Sequence, residues 1–189
     1  KKIYLFSDKK KVLGVSKKIK LHDIKIIKPT DFSHLISSLP GKKFIIDYLS
    51  CSIFNENKIR SRFKITESID PCYKFKSKKN NAEIKNMINT HIADGVALTK
   101  FLYWVKNKKH KNLTEISAEN KLEKFRKLNK NFLFPSFNTI AGSGSNGAIV
   151  HYRATKNSNK KINKNDIFLC DSGGQYKFGT TDVTRTICF

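Results

Sequence analysis

Two aspartates, Asp171 and Asp182, are the residues of this sequence best suited to chemistry. Asp171 closes the apolar run Ile167-Phe168-Leu169-Cys170. Asp182 follows eleven residues later, across the turn Ser172-Gly173-Gly174-Gln175-Tyr176. A carboxylate ending a strand and a second one beyond a glycine-bearing turn put hard oxygen donors on one cation site, suited to Mn, Mg, Co or Zn. One Asp then chelates a single ion while the other bridges two, and such a pair activates water between its members. Two Asp near a turn also serve as turn caps, and spacing alone leaves both readings open. His151 lies in the apolar segment Ala148-Ile149-Val150-His151-Tyr152, read as a strand. A lone strand histidine is more often a satisfied structural residue, with a functional role as the other reading. The glycine-rich segment 142–147 lacks the Lys-Ser/Thr ending of a phosphate loop and precedes a strand, so it reads as a close-packed turn. Neither a G-x-S-x-G elbow nor a cysteine-centred signature supports nucleophile chemistry.

Helices and strands must hold these groups in place. Asn80 followed by Glu83 has the form of a capping box, opening a helix whose Ile84, Met87, Ile88, Ile92, Leu98, Leu102 and Val105 recur at helical spacing. Phe101 and Trp104 flank that stripe. A second helix is predicted after the Thr114 cap, with Ile116, Leu122, Phe125 and Leu128 on its apolar face. Both stripes read as core. From Phe132 onward the pattern turns to strands and turns, with 180–187 as the strand returning from the Asp171 turn. Upstream, Ile3-Tyr4-Leu5-Phe6 and 44–48 read as strands, and 31–39 as a short helix capped by Asp31. This is the texture of a small α/β unit. Asp70-Pro71 marks its boundary, and the lysine-rich stretch that follows reads as a connection.

The net charge of +23 raises nucleic acid as a partner, but only Arg60, Arg62, Arg126, Arg153 and Arg185 carry the guanidinium that recognises bases and phosphates bidentately. The lysines are spread along the chain among Asn, Ile and Phe, the mixture that codon bias in an AT-rich genome produces. No specific nucleic-acid partner is expected. Cys51, Cys72, Cys170 and Cys188 form no C-x-x-C pair, which fits free thiols in a cytoplasmic setting. No run approaches the roughly 20 apolar residues of a membrane helix, so no membrane partner is expected. The chain opens on Lys-Lys-Ile-Tyr with no signal-peptide pattern, and its sole Met is Met87.

Three blocks carry a resemblance to aminopeptidase P of the pita-bread metallopeptidases. The first runs from Lys79-Asn80-Asn81-Ala82-Glu83-Ile84 through His91-Ile92-Ala93-Asp94-Gly95 to Phe101-Leu102-Tyr103-Trp104. The second joins Pro135-Ser136-Phe137-Asn138-Thr139-Ile140 to Ser145-Asn146-Gly147-Ala148-Ile149-Val150-His151-Tyr152. The third is Asp171-Ser172-Gly173-Gly174-Gln175-Tyr176 with Gly179-Thr180-Thr181-Asp182-Val183-Thr184-Arg185-Thr186. The resemblance implies an α+β fold: the N-terminal half of a pita-bread catalytic domain over 76–189. The end of a small α/β domain, similar to the creatinase N-terminal domain, would precede it over 1–75.

The same resemblance implies two divalent metal ions, manganese in this branch, with Asp171 as a ligand and Asp182 bridging. His151 takes the place of the histidine that contacts substrate. The implied reaction is hydrolysis of the bond before proline in peptides with proline second. The family's remaining ligands, one His and two Glu, have no counterpart here; His22, His34, His91 and His110 stand in other contexts. The chain is therefore expected to be a fragment lacking both ends, inactive alone, with a separate chain as a candidate source of the missing half. Two other readings stand beside it: a pita-bread domain kept as a non-catalytic binding module, and a basic nucleic-acid binder resting on charge.

Overall fold

The computed structural model describes residues 2–16, 23–107 and 112–189; His22 and His110 lie outside the described residues. The chain divides into two compact units, Lys1–Lys78 and Lys79–Phe189.

The first unit is built from two short strand–helix–strand pieces. Strand β1 (Ile3–Phe6) precedes helix α1 (Lys9–Ser16) and pairs in parallel with β2 (Ile24–Ile27). A 3-10 turn at Pro29–Asp31 leads into α2 (Phe32–Ser38). The helix predicted over 31–39 is thus present, but Asp31 makes no side-chain cap. Strand β3 (Lys43–Ile46) pairs in parallel with β4 (Lys64–Glu67) across α3 (Ile53–Arg60), which Ser52 caps by accepting from the Asn55 amide. Parallel neighbours need such a crossover, because a tight turn cannot reverse the chain twice. Ile36, Ile46, Ile59 and Phe63 form the buried cluster. The lysine-rich stretch read as a connection is instead helix α4 (Pro71–Ser77). Pro71 suits a first helical turn, and the Asp70 carboxylate accepts from the Cys72 amide.

The second unit opens with the long helix α5 (Asn81–Asn107). The predicted capping box is present: the Glu83 amide donates to Asn80 Oδ1 at 2.9 Å, and the Asn80 amide donates to Glu83 Oε2 at 2.7 Å. Helix α6 (Glu115–Lys127) begins at Thr114 with a second reciprocal cap to Ser117. Two antiparallel sheets follow. One has the order β10 (Val183–Cys188), β7 (Ile167–Ser172), β6 (Ile140–Ser143). The other has the order β5 (Phe132–Pro135), β8 (Gly174–Tyr176), β9 (Gly179–Thr180).

Strand β7 alternates cleanly. Phe168, Cys170 and Ser172 are buried, while Ile167, Leu169 and Asp171 point to the opposite, more open face. The buried side packs on the helices in a core of Leu98, Phe101, Val105, Leu113, Ala118, Leu122, Ala141, Phe168, Cys170 and Ile187. Each large apolar member contributes about 1.5–3 kcal/mol. The same burial pushes the Cys170 thiol up to about 11.

Both helical stripes need correction. On α5 the residues facing the core are Thr90, Asp94, Ala97, Leu98, Phe101 and Val105, whereas Ile84, Ile88 and Ile92 are 47, 55 and 63% exposed. Ile88 and Ile92 stand two residues from buried Thr90, and Ile92 two from buried Asp94, so they face away from the side that packs on the sheet. On α6, Leu128 is exposed and Arg126 takes the buried place instead.

Candidate metal centre

Asp171 lies in the middle strand of its sheet, with Ile140 of β6 on one side and Thr184 of β10 on the other. Its backbone is therefore fixed on both sides. Its side-chain Oδ1 is buried and, among the described residues, has no hydrogen-bond partner. An unpartnered buried carboxylate oxygen costs free energy, about 1–3 kcal/mol even for a neutral group. A bound cation removes that cost, so the donor present here fits a divalent metal ion.

The strand predicted over 180–187 is broken. Thr180 ends β9, Val183 starts β10, and Thr181 and Asp182 form the step between them. Asp182 is exposed there. Asp182 immediately precedes β10, whose Val183 and Thr184 pair with Ser172 and Asp171. The step is held from beneath: a β-carbon on Gly173 would lie 1.9 Å from the Thr181 carbonyl oxygen, so only glycine admits this crossing. Ser136 Oγ donates to that same carbonyl at 2.9 Å, and the Gly174 amide donates to Thr181 Oγ1 at 2.9 Å.

His151 is not in a strand. The segment after β6 turns through a 3-10 helix at Gly144–Ala148, and His151 stands exposed in a turn with φ of 54°. A non-glycine residue in this left-handed region is uncommon, and His is, with Asn and Asp, among those that adopt it most readily. The glycine-rich segment is the close-packed turn expected: a β-carbon on Gly142 would lie 2.7 Å from the Gly147 α-carbon. Gly142 pairs with Leu169, so this turn covers part of the face on which Asp171 sits. Among the described residues, no group of three or more His, Cys, Asp and Glu side chains is gathered that could hold a metal ion.

Two buried networks flank these residues, and sequence reasoning missed both. In the first, Arg126 Nε donates to Asp94 Oδ1 at 2.7 Å, and Arg126 Nη2 donates to Asp94 Oδ2 at 3.2 Å and Ser172 Oγ at 3.1 Å. Tyr176 Oη donates to Asp94 Oδ1 at 2.7 Å. The ion pair is 1–2% exposed and ties α5 and α6 to the residue next to Asp171. Burial pushes the Asp94 carboxyl up, but the Arg126 guanidinium and the Tyr176 hydroxyl outweigh it and hold the group below the usual carboxylate range. Burial and the neighbouring Asp94 charge push the Tyr176 phenol well above its ordinary value. In the second network, fully buried Glu115 accepts from Ser143, Asn146, Tyr152 and Lys160. The signal in the sequence was a charge on an apolar helix face: Asp94 lies four residues after Thr90 and three before Ala97, and Arg126 four after Leu122.

This fold is shared with solved metallopeptidases. Over 99% of the chain it resembles the X-prolyl aminopeptidase of Caenorhabditis elegans, described as a cytosolic enzyme with a di-nuclear active site; TM-score is 0.80 at 27% identity, covering 32% of that chain. The prolidase of Pyrococcus furiosus shares the fold at TM-score 0.76 and 19% identity, over 98% of this chain and 52% of the prolidase. The description "Metallopeptidase family M24" matches residues 85–189, more than half of the sequence, and the chain belongs to that family. Its α+β second unit is accordingly of the pita-bread type. The Xaa-Pro aminopeptidase ApepP of Drosophila melanogaster is 39% identical over 165 residues, covering 84% of this chain and 26% of that protein. Aminopeptidase P2 of Arabidopsis thaliana is 46% identical over 116 residues, 60% of this chain and 16% of that protein. The chain spans about a quarter of the length of the first of these relatives.

Proposed function

We propose that this chain supplies two metal ligands and a substrate contact to an Xaa-Pro aminopeptidase, which removes the first residue from peptides with proline second. The observation that carries this reading is the buried, unpartnered Oδ1 of Asp171. The names of the aligned relatives supply the substrate class.

In this reading Asp171 and Asp182 would be ligands of two divalent ions, with Asp182 shared between them and manganese as the metal. When bound, such a pair lowers the pKa of water and polarises a peptide carbonyl. The chain's own residues do the rest. The sheet pairing of β7 fixes the direction of Asp171, and the Gly173 crossing and Ser136 fix the step bearing Asp182; His151 would contact the substrate. The further ligands, one His and two Glu, would come from a segment outside these 189 residues, whether in the same polypeptide or a separate chain. Residues 1–75 would be the end of the α/β domain preceding the catalytic one. The cysteines, all free, agree with a cytoplasmic setting.

The test is manganese binding, read by the loss of the free-ion electron paramagnetic resonance signal, together with release of the first residue from an Xaa-Pro peptide. The chain alone is expected to bind manganese weakly and to release nothing. Asp171→Asn and Asp182→Asn are each expected to abolish the binding. Binding that survives both substitutions unchanged would remove the reading, and turnover by the chain alone would show that its metal site is complete.

A further inference from the structure

Glu115 is a fully buried carboxylate that the proposed reaction does not use, and its partners lie on the sheet end and loop around His151. Oε1 accepts from the Ser143 amide at 2.8 Å and from Asn146 Nδ2 at 3.0 Å. Oε2 accepts from Tyr152 Oη at 2.8 Å, the Lys160 amide at 2.9 Å and Asn146 Nδ2 at 3.2 Å. A buried carboxylate is tolerated only when its oxygens are satisfied in this way. The acceptors thus reach the start of the loop, its end, and the residue that follows His151. Tyr152 is itself buried, and its hydroxyl also lies 2.8 Å from Asn146 Nδ2 and 3.0 Å from the Ser158 carbonyl oxygen. The neighbouring His151 is exposed and carries a φ of 54°, a conformation that persists where the surroundings over-determine it.

The loop also lies over the face that matters. Gly142 is paired with Leu169, which shares its face of β7 with Asp171, and a β-carbon on Gly147 would come within 3.6 Å of Leu169 Cβ. Anchoring at Ser143, Asn146, Tyr152 and Lys160 therefore fixes a loop that leaves this face and presents His151 to solvent two residues beyond Ile149.

We propose that Glu115 is a positioning residue which, through Asn146 and Tyr152, holds His151 in its left-handed turn beside the Asp171 face. It touches no substrate. Its consequence for catalysis rests on the reading of His151 as the substrate contact, whereas the tether itself does not.

Two measurements separate these. In the 189-residue chain, the imidazole carbon–proton NMR signal of His151, assigned by its loss in His151→Ala, is expected to be single and sharp. In Tyr152→Phe, which removes one hydroxyl and little volume, the signal should broaden or split, and more so in Glu115→Gln. Lys156→Ala, an exposed change in the same loop, should leave it as it was. An unchanged His151 signal in Tyr152→Phe and Glu115→Gln overturns the tether. In the peptidase with its metal site complete, Tyr152→Phe should lower kcat/KM on an Xaa-Pro peptide by about 10- to 100-fold. The same change made in a His151→Ala background should cost little more. Full multiplication of the two losses overturns the proposal. Unimpaired turnover by His151→Ala would instead remove the substrate-contact reading and leave the tether to be judged by the NMR signal alone.

Discussion

At the scale of single residues, the chain keeps one costly group. Asp171 holds a buried oxygen with no partner among the described residues, where other buried carboxylates have several. Asp171→Asn removes the charge while keeping the shape, so it is expected to raise stability without metal by up to about 1 kcal/mol. Added manganese should stabilise the parent chain and leave the variant unchanged. Urea unfolding with and without the ion reads both effects, and a loss of metal-free stability would mean that the carboxylate has a structural partner. The apolar run and the turn after it mark Asp171 and Asp182 as the candidate ligands of the proposed site. The environment of each was not legible there: one is half-buried mid-sheet, the other exposed at a break between strands.

At the scale of elements, the Asp94–Arg126 pair joins the two helices to Ser172 and Tyr176. Removing one partner strands a buried charge, so Asp94→Ala or Arg126→Ala is expected to cost about 3–5 kcal/mol in urea unfolding. Replacing both with apolar residues of matching volume should recover most of the loss. The pH dependence follows from the signs. Asp94 is held low in the fold, so its contribution is complete above its unfolded value near about 4 and is lost as pH falls through the folded one. Tyr176 is held high, so its contribution is complete below about 10 and is lost as pH rises toward its folded value. Asp94→Leu paired with Arg126→Met should flatten the acid limb of stability plotted against pH; an unchanged acid limb would place that dependence elsewhere.

Helix starts were readable because caps are local: Asn80 with Glu83, and Thr114, act within one turn. The break before β10 and the loss of the strand around His151 were not, since both accompany close backbone approaches, Gly173 on Thr181 and Gly142 on Gly147, that apolar periodicity does not reveal.

At the scale of the whole molecule, charge and apolar surface set behaviour in solution. Ile84, Ile88 and Ile92 lie along one exposed line of α5. Replacing all three by Gln should leave the unfolding free energy within about 0.5 kcal/mol per site and raise the solubility limit. A cost of several kcal/mol, measured by urea unfolding, would show that the line is covered. With a net charge of +23, the chain should be retained on any polyanion and released with rising salt, with no preference for sequence. A sequence-dependent affinity that survives high salt would revive the nucleic-acid reading.

The sequence by itself determined what is carried by residue type and short spacing: the two helices and their caps, the strand that carries Asp171, and three blocks specific enough to imply the family. Tertiary structure alone decided which face of each element is inside. Amphipathic spacing states that a helix has an apolar side, but α5 carries apolar residues on more than one side, and packing against the sheet decides which of them is buried. Charges in the core were likewise invisible one at a time. Asp94, Glu115 and Arg126 are tolerated inside because partners from 28 to 82 residues away meet them there, and local sequence does not encode those meetings.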